Sequence, residues 1–270
     1  VYASDGTTLL AEFQLENRDP VALDQISEYV LKGTVATEDE RFYTHSGVDY
    51  LGVARALVNN LMGGELEGAS TITQQFVRNT ILSDEMRDIS FKRKIREMYL
   101  SQKLEEQYSK DEILLMYLNT INYGSGAYGI EAAAERYFSK DAKDLTLNEA
   151  ATLVGIPQSP TYNNPIDYPD NCLKRRNTVL DRMVSNGVIT AEEADAVKAE
   201  PIELNPSEPS MTGILAYPYF TSYVRNQLTN PEGKYAYSTS ELFKGGLKVI
   251  TTLDIEAQTA AEEAAAEKEE

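Results

Sequence analysis

Between about Leu23 and Ala199, apolar positions recur mostly at three- and four-residue spacing, the period of amphipathic helices. The pattern predicts helices over 51–62 (LGVARALVNNLM), 91–108 (FKRKIREMYLSQKLEEQY), 110–121 (KDEILLMYLNTI), 130–138 (IEAAAERYF), 146–156 (TLNEAATLVGI) and 172–187 (CLKRRNTVLDRMVSNG). Start and stop signals agree with it. Thr146 followed by Glu149 is a capping box. Ser109 precedes Lys110-Asp111-Glu112, a cap with acids in the first turn. Asn186-Gly187 closes the 172–186 helix. On the 91–108 helix, Phe91, Ile95 and Tyr99 share one side, and Glu97 lies opposite with Arg93, Leu100 and Leu104 close by. Apolar residues on both sides predict a buried helix.

Two stretches leave the helical period. VYASDGTTLLAEF (1–13) reads as a β-hairpin about Asp5-Gly6, and GGLKVITTLD (245–254) alternates like a strand. EPIELNPSEPSMTG (200–213) carries three prolines, marking a linker or domain edge. Beyond it YFTSYVRNQL reads as helix. The expected division is a domain over 1–200 and a linker over 201–270.

Composition narrows the picture. A chain of 270 residues with 42% hydrophobic content builds one large core or two modest ones. A formal charge of -18 argues against a nucleic-acid partner. Within that acidic background RDISFKRKIR (87–96) gathers Arg87, Lys92, Arg93, Lys94 and Arg96, which fits either a local anionic ligand or a solvated helix end. The one cysteine, Cys172, excludes an internal disulfide or a CxxC zinc site and reads as a small buried hydrophobe. No run approaches the roughly 18 apolar residues of a membrane span. The chain starts at Val1 and ends in AAAEKEE, partway through a helical pattern, so a preceding anchor or targeting segment is expected in the full protein.

Candidate chemistry begins at ATEDERFYTHSG (36–47), where Glu38, Asp39 and Glu40 precede His45, the only histidine. GSGAYG (124–129) matches a dinucleotide fingerprint, but the run before it is a capped helix rather than a strand, so it reads as a helix–loop–helix corner. A serine triad would have to use His45, no G-x-S-x-G elbow occurs, and no S-x-x-K supports covalent penicillin binding. A pair of carboxylates remains. Sugar transfer through an oxocarbenium-like transition state is commonly run by two acids, and Glu38 and Glu97 are the candidates. Glu97, with Arg93 at i-4, is either a structural ion pair or a site. GASTITQQFVRNT (68–80) adds Ser70, Thr71, Gln74, Gln75, Arg78 and Asn79, which fit either a phosphate or sugar site or a polar helix start.

Together these segments resemble the glycosyltransferase domain of class A penicillin-binding proteins. E-D-x-x-F-x-x-H-x-G is matched by Glu38, Asp39, Phe42, His45 and Gly47, and G-x-S-T-I-T-Q-Q runs from Gly68 to Gln75. R-K-x-x-E is matched by Arg93, Lys94 and Glu97, and a further motif runs from Ser109 to Asn119. RYFSKDAKDLTLNEAATLVGIPQSPTYNNP, from Arg136, is also similar, so the likeness covers about 1–190. Three positions depart from the pattern: Arg78 where lysine is common, Ser101 where alanine is usual, and Leu115 in place of an acid.

The resemblance implies a mainly α, lysozyme-like bilobal fold, with a head lobe and a smaller jaw lobe that dips into the membrane. It implies polymerisation of lipid II into β-1,4 glycan with inversion and release of undecaprenyl pyrophosphate. Glu38 would be the general base. Glu97, Arg93, Lys94 and Arg78 would sit near the departing pyrophosphate. Asp39 and His45 would hold the first motif in shape, and Ser70, Thr71, Gln74, Gln75 and Asn79 would bind substrate. Divalent Mg²⁺ or Mn²⁺ is implied as helper, with ligands unassigned; Glu97 would either hold a metal or orient the arginines. LGVARALVNNLM is either the jaw surface that meets lipid or an interior helix. The implied location is the extracytoplasmic face of the bacterial membrane, with lipid II, the growing glycan and a following transpeptidase domain as partners. The alternatives are a lytic transglycosylase or muramidase on a similar fold, which needs no pyrophosphate site, and a non-catalytic cell-wall scaffold.

Overall fold

A computed structural model describes residues 1–11, 19–61, 70–85, 88, 90–207, 216–230, 233–237 and 247–266. Gly68 and Ala69 of the GASTITQQ run, Arg87 of the basic cluster, and residues 12–13 and 245–246 of the two expected β segments lie outside these. The chain forms two compact units, Asn17–Pro209 and Val1–Glu16 with Ser210–Glu270.

The larger unit is helical. Its helices are α1 (Glu28–Glu38), α2 (Tyr50–Leu61), α3 (Ile72–Thr80), α4 (Phe91–Glu105), α5 (Lys110–Leu118), α6 (Ile130–Phe138), α7 (Leu147–Gly155), α8 (Pro169–Ser185) and α9 (Ala191–Lys198). Side-chain caps set several starts. Thr71–Gln74, Ser109–Glu112, Thr146–Glu149 and Thr190–Glu193 form reciprocal capping boxes, so each satisfies two otherwise orphaned backbone donors. Proline at its first position starts α8 three residues before the expected helix.

Helices α1, α7 and α8 pack on one another, and α3 packs against α4 and α5. One apolar core runs through both groups, with Val30, Ile72, Ile113, Ile130, Leu153 and Val179 fully buried. Arg176 replaces an apolar residue on the inner stripe of α8. It is fully buried and donates to Asn148 Oδ1 at 2.8 Å and to the Glu200 carbonyl at 2.9 Å. GSGAYG links α5 to α6 as the expected corner.

Helix α4 is not buried on both sides. Glu97 and Ser101 face inward, whereas Phe91, Ile95 and Tyr99 are 90%, 66% and 57% exposed. Gly47, having no β-carbon, lets its loop press against the α4 backbone at Ser101 and Gln102, on the side that carries Glu97 and Ser101, and the apolar stripe stays outside. Among the described side chains of α2, Leu51, Val53, Ala54 and Arg55 are exposed and Ala56 is buried, so that part of the helix is not an interior one.

In the smaller unit the expected hairpin and linker strand are absent: no strand forms among the described residues. Tyr2 makes one antiparallel bridge to Leu9 and one parallel bridge to Ile250, and neither extends into a ladder. The reason is local. The Asp5 carboxylate accepts the backbone N–H groups of Thr7 and Thr8, both at 2.9 Å, and the Thr8 hydroxyl. Those contacts wind the chain into a turn that takes up donors a hairpin would pair across its strands. Segment 247–254 meets 2–4 through Tyr2 N–H to Val249, Thr251 N–H to Tyr2 and Ser4 N–H to Leu253. This unit also contains α10 (Pro218–Thr229), the expected YFTSYVRNQL helix, and α11 (Ile255–Ala266). Among the described residues no helix is long and apolar enough to cross a membrane.

Candidate active site

Glu38 is the last residue of α1, where the helix dipole disfavours a carboxylate. Two donors offset that. Gln75 Nε2, on α3, donates to Oε2 at 2.8 Å, and Arg175 Nη2, on α8, reaches Oε1 at 3.4 Å. The Glu38 side chain is only 12% exposed. Beneath it, burial and then the Glu38 charge push the phenols of Tyr117 and Tyr123 far up. The Tyr117 hydroxyl donates to Gln75 Oε1 at 3.2 Å, which fixes the amide with its NH₂ toward Glu38. Burial also depresses the Arg175 guanidinium, against the opposing pull of Glu38.

Asp39, next in the chain, turns the other way. Its carboxylate meets His45 Nε2 at 2.9 Å and accepts the Ile72 N–H at 3.1 Å, at the start of α3. An acid at a helix N-terminus complements the dipole. Thr71 donates its hydroxyl to the Gly47 carbonyl at 2.8 Å, so the 39–47 loop is tied to α3 at both ends.

The third cluster lies on α4. Glu97 is fully buried, with Arg93 Nη1 at 2.6 Å on one oxygen and Lys94 Nζ at 2.5 Å on the other. Lys94 also donates to Ser70 Oγ at 3.0 Å. The stretch Ser70–Gln75 is therefore a strut between the two acids. Gln75 holds Glu38, and Ser70 meets the cation paired with Glu97.

The structure separates the candidates by what they can reach. Phe42, Thr71 and Gln74 are buried; Phe42 packs in the core, and Thr71 and Gln74 are spent in the α3 capping box. Ser70, Gln75, Arg78, Asn79, Arg93 and Lys94 keep partial exposure. The side chains of Arg78 and Asn79 make no hydrogen bond or ion pair among the described residues, so their donors are available to a ligand. Arg175 was not foreseen. Its only sequence signal is its place beside Arg176, a charged pair on the edge of an apolar helical stripe.

The donor set does not fit a divalent cation at Glu97, because guanidinium and ammonium groups occupy both carboxylate oxygens. Among the described residues no three His, Cys, Asp or Glu side chains gather as a metal site. Of the two roles open to Glu97, orienting its basic neighbours is the one these contacts support.

Comparison with known proteins shows the family. Residues 6–184 match the profile of the family described as Transglycosylase. Penicillin-binding protein 1A of Escherichia coli (strain K12) is 41% identical over 98% of this chain and 30% of its own length. Penicillin-binding protein 1F of Bacillus subtilis (strain 168) is 39% identical over 93% of this chain and 34% of its own. A crystal structure of Penicillin-Binding Protein 1A from Haemophilus influenzae is 26% identical, with a TM-score of 0.48 over 87% of this chain and 24% of that one, a likeness too loose to carry an argument. The chain thus spans about a third of the length of the curated relatives it matches. It belongs to the Transglycosylase family, as a peptidoglycan glycosyltransferase domain of the class A penicillin-binding-protein type.

Proposed function

We propose that this domain polymerises lipid II into β-1,4 glycan, with Glu38 as general base. The 4-hydroxyl of the incoming lipid II attacks the anomeric carbon of the growing chain. The bond from that carbon to the undecaprenyl pyrophosphate breaks, and configuration inverts. Glu38 takes the proton of the attacking hydroxyl. Negative charge grows on the pyrophosphate, where Arg93, Lys94 and the uncommitted Arg78 stabilise it. No step is assigned to a metal.

One observation carries the reading. A nearly buried carboxylate, held by an amide and a guanidinium, stands across the Ser70–Gln75 strut from two cations locked to a buried glutamate. Base and leaving-group cations on opposite ends of a short rigid element suit an in-line displacement. A hydrolase cutting glycan has no use for the second cluster.

Membrane contact belongs to the same reading. Tyr50 and Leu51 at the start of α2 and Phe91, Ile95 and Tyr99 on α4 are exposed, and Gln102 of α4 donates to Tyr50 Oη at 3.1 Å. These apolar groups, beside Lys92 and Arg96, suit the surface of an anionic bilayer on its extracytoplasmic side. The rest of the protein is proposed to include a membrane anchor and a transpeptidase domain.

Labelled lipid II in detergent, resolved on a gel, tests the proposal. Wild type is expected to give long, muramidase-sensitive polymer and Glu38→Gln none. Polymer of normal length from Glu38→Gln would overturn the base assignment, and soluble fragments released from purified cell wall would favour a lytic enzyme.

A further inference from the structure

Lys110 is in an unfavourable place for a cation. It is the first residue of α5, where the helix dipole disfavours positive charge and where Asp111 and Glu112 occupy the next positions. Its side chain is nonetheless drawn inward, to 19% exposure. The ammonium group has three neighbours. Glu105, at the end of α4 and 6% exposed, pairs with it at 2.7 Å. The Phe42 ring lies beneath it, 4.5 Å from the nitrogen. His45 Nδ1 stands at 3.4 Å. Glu105 is itself fixed by the buried Thr73 hydroxyl, which donates to it at 2.5 Å.

The contact with His45 has a chemical consequence. An ammonium donates and never accepts, so Nδ1 must present its lone pair. A carboxylate only accepts, so the hydrogen must sit on Nε2, which faces Asp39 at 2.9 Å. The two neighbours together select one tautomer of a neutral imidazole.

We infer that Lys110 is a positioning residue of the site: by donating to Nδ1 it holds His45 as the neutral Nε2–H tautomer, and His45 in turn fixes Asp39 beside Glu38. Asp39, from the end of α1, faces the ring at Nε2, and Glu105 faces Lys110 rather than the ring. A hydrogen on Nδ1 would meet the Lys110 donor head-on, would turn the Nε2 lone pair toward the Asp39 carboxylate, and would loosen the loop that sets Asp39 against the Ile72 N–H. The effect on turnover rests on Glu38 being the base. The tautomer does not, and it is read without substrate.

His45 is the only histidine, so its imidazole nitrogens give unambiguous resonances in a ¹⁵N-histidine-labelled chain. The wild type at neutral pH is expected to show the neutral Nε2–H pattern. At the same pH Lys110→Met is expected to move the Nδ1 resonance away from its hydrogen-bonded position, and Lys110→Arg to restore it. In polymerisation assays Lys110→Met is expected to lose roughly tenfold or more in kcat, with KM little changed, as for misplaced catalytic groups. An Nδ1–H tautomer or an imidazolium in the wild type at neutral pH overturns the inference and requires no variant to fold. A Lys110→Met chain with wild-type imidazole resonances overturns it as well.

Discussion

Gln75 uses both ends of its amide: Nε2 donates to Glu38 at 2.8 Å, and Oε1 accepts from the buried Tyr117 hydroxyl at 3.2 Å. The acid is thereby held by a residue whose orientation is fixed from beneath. Gln75→Leu keeps the approximate volume and removes both bonds. It leaves the Tyr117 hydroxyl without its acceptor, a cost of about 1–3 kcal/mol. Polymerisation is expected to fall roughly 10- to 100-fold as the base loses its orientation. Thermal melting and turnover of the same preparation check the two effects separately.

Glu97 sits fully buried between two cations, and its replacement tests its role as an orienting group. Glu97→Gln keeps the shape but withdraws the charge that holds Arg93 and Lys94. Removing one partner of a buried pair costs about 3–5 kcal/mol. The lower end is expected here, because Lys94 is 37% exposed and water screens it. Turnover should fall by about two orders of magnitude or more if the cations stabilise the leaving group. Activity near wild type would assign the cluster to folding alone.

Gly47 tests why the first motif ends in glycine. Its φ is +79°, and a β-carbon there would lie 2.7 Å from the backbone of Ser101 and Gln102. Gly126 has nearly the same φ, +78°, with open space around it. Gly126→Ala should therefore cost only the left-handed strain, about 1–2 kcal/mol. Gly47→Ala should cost clearly more, because α4 must move away from the loop that carries Asp39 and His45. Urea midpoints of the two variants measure the difference.

The same residues mark what the sequence could disclose. The caps at Ser109 and Thr146 were legible because they are closed within four residues. The ion pairs of Glu97 were legible because Arg93, Lys94 and Glu97 share one helical face. Arg175 was not, because it meets Glu38 across 137 positions. The α4 stripe was misjudged for a related reason: periodicity gives the faces of a helix but not which face finds a partner. The hairpin failed because Asp5 closes a turn within its own neighbourhood, a competitor that an Asp-Gly pair between two short runs does not disclose.

Cys172 offers a prediction independent of catalysis. It is 1% exposed, and burial pushes its thiol up to about 12, with Arg176 pulling weakly the other way. Thiolate is the reactive form, so a disulfide reagent at about pH 8 should leave the folded chain unlabelled and label one equivalent in denaturant. The sign of the pH effect follows. Above the ordinary thiol value of 9.0 the unfolded chain releases this proton while the folded chain keeps it, so stability falls with pH from there toward about 12. Cys172→Val removes this contribution. The stability difference between wild type and Cys172→Val should shift against the wild type as pH rises from about 8 to 10, around the usual cysteine range. A difference that stays constant over that range, or prompt labelling of the native thiol, would show that the site opens to solvent.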